Sequence, residues 1–173
     1  MVIGLKKFIL KIILYGLMIT VVAVIQASVM ADWKIYGVMA DITVPFTVIM
    51  AMRHGYKAGM ATGIYLGMLV DAQISTMGFN IFILGFLGLV AGYIIDLLFR
   101  RNFASYILFI GVGITLKSLL SWMILYAMWN DVSMTVFMSK VLPEIIYTYI
   151  VGIALYGTWN LVRSFYKLKN EVL

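Results

Sequence analysis

The sequence predicts an all-α polytopic membrane protein, with six transmembrane helices, both termini cytoplasmic and residues 1–173 forming a single transmembrane domain. Three observations predict it. The chain is 64% hydrophobic and 12% charged, whereas soluble domains carry about 45–50% apolar and about 25% charged residues. Its mean hydropathy is +1.06. Six apolar stretches approach the roughly 20 residues that a helix needs to cross a hydrocarbon core about 30 Å thick, at about 9–31, 35–52, 58–76, 78–99, 104–128 and 141–162. The connections are short, and no Pro/Ser-rich linker or low-complexity tract separates them.

The first span follows Lys6, Lys7 and Lys11. Its apolar run exceeds the roughly 7–15 residues of a signal-peptide core, so a retained helix is expected rather than a cleaved signal ending near Val29-Met30-Ala31. Ala23, Ala27 and Ala31 place small residues four apart, as on a packing face. The second span holds Asp41 and Pro45, and the proline is expected to kink or break it. Arg53, His54 and Lys57 mark a tight connection into the third span. There Gly55, Gly59, Gly63 and Gly67 recur every fourth residue, and Asp71 takes the next step. Residues four apart share a helical face. Each glycine would cost about 1 kcal/mol relative to alanine in a soluble helix, whereas in a bilayer the same spacing admits a closely packed neighbour.

The fourth span follows Met77-Gly78-Phe79-Asn80, carries Gly85, Gly88, Gly92 and Asp96, and stops at Arg100-Arg101. Gly55, Gly59, Gly63, Gly67, Gly78, Gly85, Gly88 and Gly92 are together read as a helix-packing or partner face. The fifth span contains Lys117. A mildly amphipathic piece from Met128-Trp129-Asn130-Asp131 through Lys140 is expected at the interface. Pro143-Glu144 opens the sixth span, where proline suits a helix start. Charge sets the orientation. With the N-terminus inside, the cytoplasmic side collects Lys6, Lys7, Lys11, Arg53, Lys57, Arg100, Arg101, Arg163, Lys167 and Lys169, leaving Lys34 and Lys140 outside. The net charge of +6 is therefore explained without nucleic acid.

Ionisable groups inside a membrane are functional candidates, because burying them unpaired is expensive. They are Asp41, Asp71, Asp96 and Lys117, with Glu144 at a border. At 1.5 Å per residue, Asp71 lies about 20 Å from the inner start of its helix and Lys117 about 20 Å from the inner end of the fifth span. Asp41 lies about 9 Å below the outer start of its own span. Shared depth predicts that Lys117 pairs with Asp71, Asp41 or Glu144. The alternative is that it snorkels outward. Asp96 is expected to form an ordinary helix-face pair with Arg100. Gln26, Asn80 and Trp122 read as packing or interface anchors, and Met50 and Met52 as adaptable filler.

Several chemistries are absent from the pattern. No cysteine is present, and His54 is the single histidine, so neither disulfides nor thiolate metal sites are available. There is no phosphate-binding loop, no His-Glu-x-x-His and no serine with triad spacing. The sequence calls for no cofactor and no enzymatic activity.

The order of these motifs resembles a known family. Asp41-Ile-Thr-Val-Pro45 is similar, in loose form, to the second span of the MreD rod shape-determining membrane proteins. His54-Gly55, Gly59, Gly63, Gly67-Met-Leu-Val-Asp71 and Met77-Gly78-Phe79-Asn80 resemble that family's glycine-and-aspartate pattern. Gly85-Phe-Leu-Gly88-Leu-Val-Ala-Gly92 and Leu142-Pro143 resemble its fourth and last spans. The acid precedes Pro45 here instead of following a proline, Arg53-His54 replaces a single arginine, and Glu144 has no family counterpart. Gly55, Gly59, Gly63, Gly67, Asp71, Gly78, Asn80 and Pro143 carry over.

The resemblance implies a multi-pass subunit of the bacterial cytoplasmic membrane, surrounded by lipid. It would serve cell elongation through the periplasmic scaffold MreC, and through it RodA, RodA's partner transpeptidase and MreB. The implied fold is like the substrate-binding subunits of energy-coupling-factor transporters. That likeness supplies the alternative, a vitamin- or metal-binding transporter subunit whose Ala23-Ala27-Ala31 face would meet the ATPase module. A small pore is a third class, with no filter motif behind it.

Overall fold

The computed structural model describes residues 2–34, 37–74, 78–98, 102–124, 135 and 137–172, with side chains from 9 to 159 apart from 11, 31, 74 and 98. Several of the sequence expectations concern Met77, Arg100, Arg101 and residues 128–131, which lie outside the described residues, so the Asp96–Arg100 pair is not described. The side chains of Lys6, Lys7, Lys11, Ala31, Arg163, Lys167 and Lys169 also lie outside.

Among the described residues all regular structure is helical. Helix α1 covers Val2–Ala27, and α2 is a single turn, Val29–Asp32. Helix α3 covers Thr43–His54, α4 Tyr56–Ile74, α5 Phe79–Leu98 and α6 Phe103–Trp122. A π-helical turn, Phe137–Val141, leads into α7, Leu142–Val172.

Among the described residues three segments are long and apolar enough to cross a membrane, namely Phe79–Leu97, Phe103–Trp122 and Phe137–Trp159. Six were expected. The second expected span falls short for a physical reason: its described residues before Thr43 are not helical, and α3, Thr43–His54, has 12 residues or about 18 Å of rise. Within α1, Ile12–Ala27 is an apolar stretch among the residues whose side chains are described. Large apolar side chains point outward along the helices, including Leu17 and Val21 of α1, Phe82 and Phe86 of α5, Val112 of α6 and Ile146 and Ile150 of α7. Such continuous apolar surface suits lipid rather than water.

Helix α3 is the centre of the bundle. Every residue from Thr43 to Met52 is buried, and α1, α4, α5, α6 and α7 all pack on it. Pro45 does not interrupt α3. It lies in the first turn, where its missing N–H is not needed, and the helical bonding starts with Phe46 N–H donating to the Ile42 carbonyl at 3.1 Å. Pro45 also meets Gly152 of α7, where an added Cβ would lie 3.0 Å from its Cγ. Close by, the Tyr106 hydroxyl donates to the Gly152 carbonyl at 2.8 Å.

The segment before α3 runs non-helically through the bundle, and its backbone groups need partners away from water. Gln26 of α1 provides two of them. Its Nε2 donates to the Ala40 carbonyl at 3.1 Å, and its Oε1 accepts from the Ile42 N–H at 2.8 Å. The Asp41 N–H donates to Thr148 Oγ1 of α7 at 2.9 Å. Gln26→Leu removes both bridging bonds and is expected to lower stability by about 2–4 kcal/mol, read as a reduced melting temperature in detergent micelles.

Candidate functional site

Helices α4 and α5 form an antiparallel pair in which glycine allows backbone to touch backbone. A Cβ added to Gly59 would lie 2.6 Å from the Gly88 carbonyl oxygen, and one on Gly67 would lie 2.5 Å from that of Asn80. One on Gly63 would overlap the Leu84 carbonyl. In return, Gly88 meets Gly59 and Gly92 meets Tyr56. Gly85 differs, because its nearest neighbour is the Ile64 side chain, 2.8 Å away at Cγ1. Gly55 differs again, since the atom nearest an added Cβ there is a side-chain atom of α5, Asp96 Oδ2 at 3.2 Å. Gly55 has φ +83° and Gly78 has φ +80°, conformations that favour glycine. Gly55 is a one-residue junction: its N–H caps α3 on the Ala51 carbonyl, and its carbonyl accepts from the Gly59 N–H in α4, both at 3.0 Å. Gly78 forms the turn into α5 and meets nothing within 4 Å at its Cβ position.

Asp71 closes the same hairpin. Its Oδ1 accepts from the Asn80 N–H at 3.1 Å and from Asn80 Nδ2 at 2.9 Å, and its Oδ2 accepts from the Ile81 N–H at 3.0 Å. The first N–H groups of a helix have no partner within it, and the positive end of the helix dipole favours an anion there. Asp71 is thus a cap for α5 supplied by the preceding helix, not the acid that meets Lys117. Asp71→Ala is expected to destabilise the start of α5 by about 1–2 kcal/mol, and Asp71→Asn by less. Faster hydrogen exchange at the Asn80 and Ile81 amides is the readout.

The partner of Lys117 is Asp41. The ammonium of Lys117, from α6, forms an ion pair with Asp41 Oδ2 in the segment before α3. It also donates to Thr43 Oγ1 at 3.2 Å. Thr43 in turn donates its hydroxyl to Asp41 Oδ1, and its N–H reaches the same oxygen at 2.9 Å. The pair is 11% and 15% exposed at Lys117 and Asp41, so it belongs with buried pairs rather than surface ones. The expectation that Lys117 finds an acid within the bundle therefore holds, with the acid specified.

This ion pair forms part of the wall of a cavity of about 640 Å³. The cavity opens at the end of the bundle where α1, α4 and α6 finish and α3, α5 and α7 begin. Asp41, Lys117, Glu144 and Asn80 line it, joined by Gln26, Thr43, Gln73, Ser118, Ser121 and Lys140, and by apolar Val70, Phe79, Trp122 and Val141. Pro143 starts α7 beside it, as expected, so that Glu144 occupies the first turn. Ala27 lines the cavity whereas Ala23 is buried in the core, so these two alanines do not form one outward face. Of the polar lining, Gln73, Ser118 and Ser121 drew no notice in the sequence, where isolated small polar residues in apolar helices carry no distinguishing spacing. Among the described residues no group of three or more His, Asp or Glu could hold a metal ion.

No family model, no curated protein and no solved structure matches the chain.

Proposed function

We propose that the chain is a non-enzymatic integral subunit of the bacterial cell-elongation machinery, acting in peptidoglycan synthesis through MreC as MreD-family proteins do. One observation supports the reading above the others. Gly59, Gly63, Gly67, Asp71 and Asn80, the core of the resemblance, act together as one unit, with three glycines admitting the backbone of α5 and the aspartate and asparagine closing the turn. In the proposed topology the chain crosses the cytoplasmic membrane six times with both termini inside, and the cavity end faces outward. Its partners are lipid, MreC and, through MreC, RodA, its partner transpeptidase and MreB. Depletion in the native host is expected to turn rods into spheres, with the wild-type gene restoring shape. Rods that persist through depletion would contradict it.

The cavity favours a second reading, a ligand-binding subunit of an energy-coupling-factor transporter, since a volume of about 640 Å³ lies within the roughly 300–1,000 Å³ of small-molecule sites. Against it, Ala23 points into the bundle at 1% exposure and is not available to an ATPase module.

A further inference from the structure

Two acids, Asp41 and Glu144, and two bases, Lys117 and Lys140, line the cavity. Asp41 is fully engaged by Lys117 and Thr43, and that cation and anion offset each other. Lys140 is exposed and has an interaction of its own. Glu144 is half-buried in the wall, and among the described residues no hydrogen bond or ion pair reaches its carboxylate. A carboxylate inside a membrane bundle is stabilised mainly by a cation or by several donors, so Glu144 is the acid of this wall open to a cationic group entering the cavity.

A metal ion is poorly suited to Glu144. Calcium takes 6–8 oxygen ligands and magnesium a strict octahedron, and Glu144 has no second free carboxylate beside it. The rest of the wall suits an organic body. Trp122 and Phe79 line the same cavity, and aromatic rings attract ammonium groups. Val70 and Val141 add apolar surface, while Ser121 offers a hydroxyl. The volume holds a small molecule or a lipid headgroup, not a whole two-chain lipid.

We propose that this cavity binds a small organic ammonium compound, whose cationic nitrogen sits on Glu144 and whose body lies between Trp122 and Phe79. The ammonium can belong to a free amine or to an ethanolamine phospholipid headgroup. The inference rests on the cavity and not on the cell-elongation reading, so either can fail without the other.

The test uses the full chain in nanodiscs. Tryptamine and its uncharged isostere tryptophol are titrated by calorimetry into discs of phosphatidylglycerol. Discs with and without phosphatidylethanolamine are compared by native mass spectrometry for retained lipid. The expected result is saturable tryptamine binding, little tryptophol binding, and a loss of about 10–100-fold in tryptamine affinity in Glu144→Gln, as for one charge-assisted hydrogen bond. Glu144→Asp, which keeps the charge, is expected to retain part of the binding. Phosphatidylethanolamine held by the wild type, displaced by tryptamine and lost in Glu144→Gln identifies the lipid source. Tryptamine binding without lipid retention identifies a free amine. Equal binding of tryptamine and tryptophol, unchanged affinity in Glu144→Gln, or no binding of tryptamine or phosphatidylethanolamine would overturn the proposal.

Discussion

Gly63→Leu is expected to separate α4 from α5 and to abolish accumulation of folded protein in the membrane. The reason is the partner atom. A Cβ at Gly63 already overlaps the carbonyl of Leu84, and a helix backbone cannot move aside as a side-chain tip can. Even Gly63→Ala is expected to cost about 1–3 kcal/mol, the usual scale of overpacking, and the three further carbons of leucine to exceed it. Two controls separate packing from a general intolerance of change. Gly85→Ala meets the Ile64 side chain, which can rotate, so a smaller loss is expected. Gly157→Ala meets nothing within 4 Å, and there the better helix former is expected to stabilise by up to about 1 kcal/mol. Melting temperatures of the four variants in one detergent give the ranking. Equal behaviour of Gly63→Leu and wild type would place α4 and α5 apart.

The second large effect concerns the buried ion pair. Lys117→Met leaves Asp41 without its cation beside the most buried helix, and removing one partner of a buried pair typically destabilises by about 3–5 kcal/mol. Asp41→Ala leaves Lys117 stranded in the same way and also strips Thr43 of its acceptor. The double variant Asp41→Asn with Lys117→Met removes both charges while an amide oxygen remains for Thr43. It is expected to recover most of the loss, because replacing both ions of a buried pair is often near neutral. Melting temperatures of the singles and the double complete the cycle. If the double is no better than the worse single, the two charges do not act as a pair.

How much of this was legible in the sequence differs from element to element. The α4–α5 contact was readable because glycines four apart on two adjacent apolar helices have few other uses. Spacing alone could not distinguish Gly55 and Gly78 from the rest, since a helix-ending glycine can fall on the same stripe. The clue at Gly55 was the basic pair Arg53-His54 just before it, a common last-turn composition. The second span misled for a different reason. Hydropathy averaged over 35–52 does not register an unwound backbone. Asp41-x-Thr43 followed by Pro45 was the local sign, because an aspartate accepting the N–H two residues on competes with helix. Gln26 carried no sign at all, as its partners are backbone atoms 14 and 16 residues away. Charge depth narrowed the partner of Lys117 to three acids, but only the fold could choose among them, since Asp71 turns to the start of α5 and Glu144 enters from α7.

The proposed role of this bundle as a shape-determining subunit is tested most directly through its partners. A tagged copy in the native host, solubilised in mild detergent and purified with its associated proteins, can be read by mass spectrometry. The predicted result is recovery of a coiled-coil periplasmic protein of the MreC type together with elongation enzymes. Recovery of an energy-coupling ATPase module, with no MreC-type protein, would contradict it.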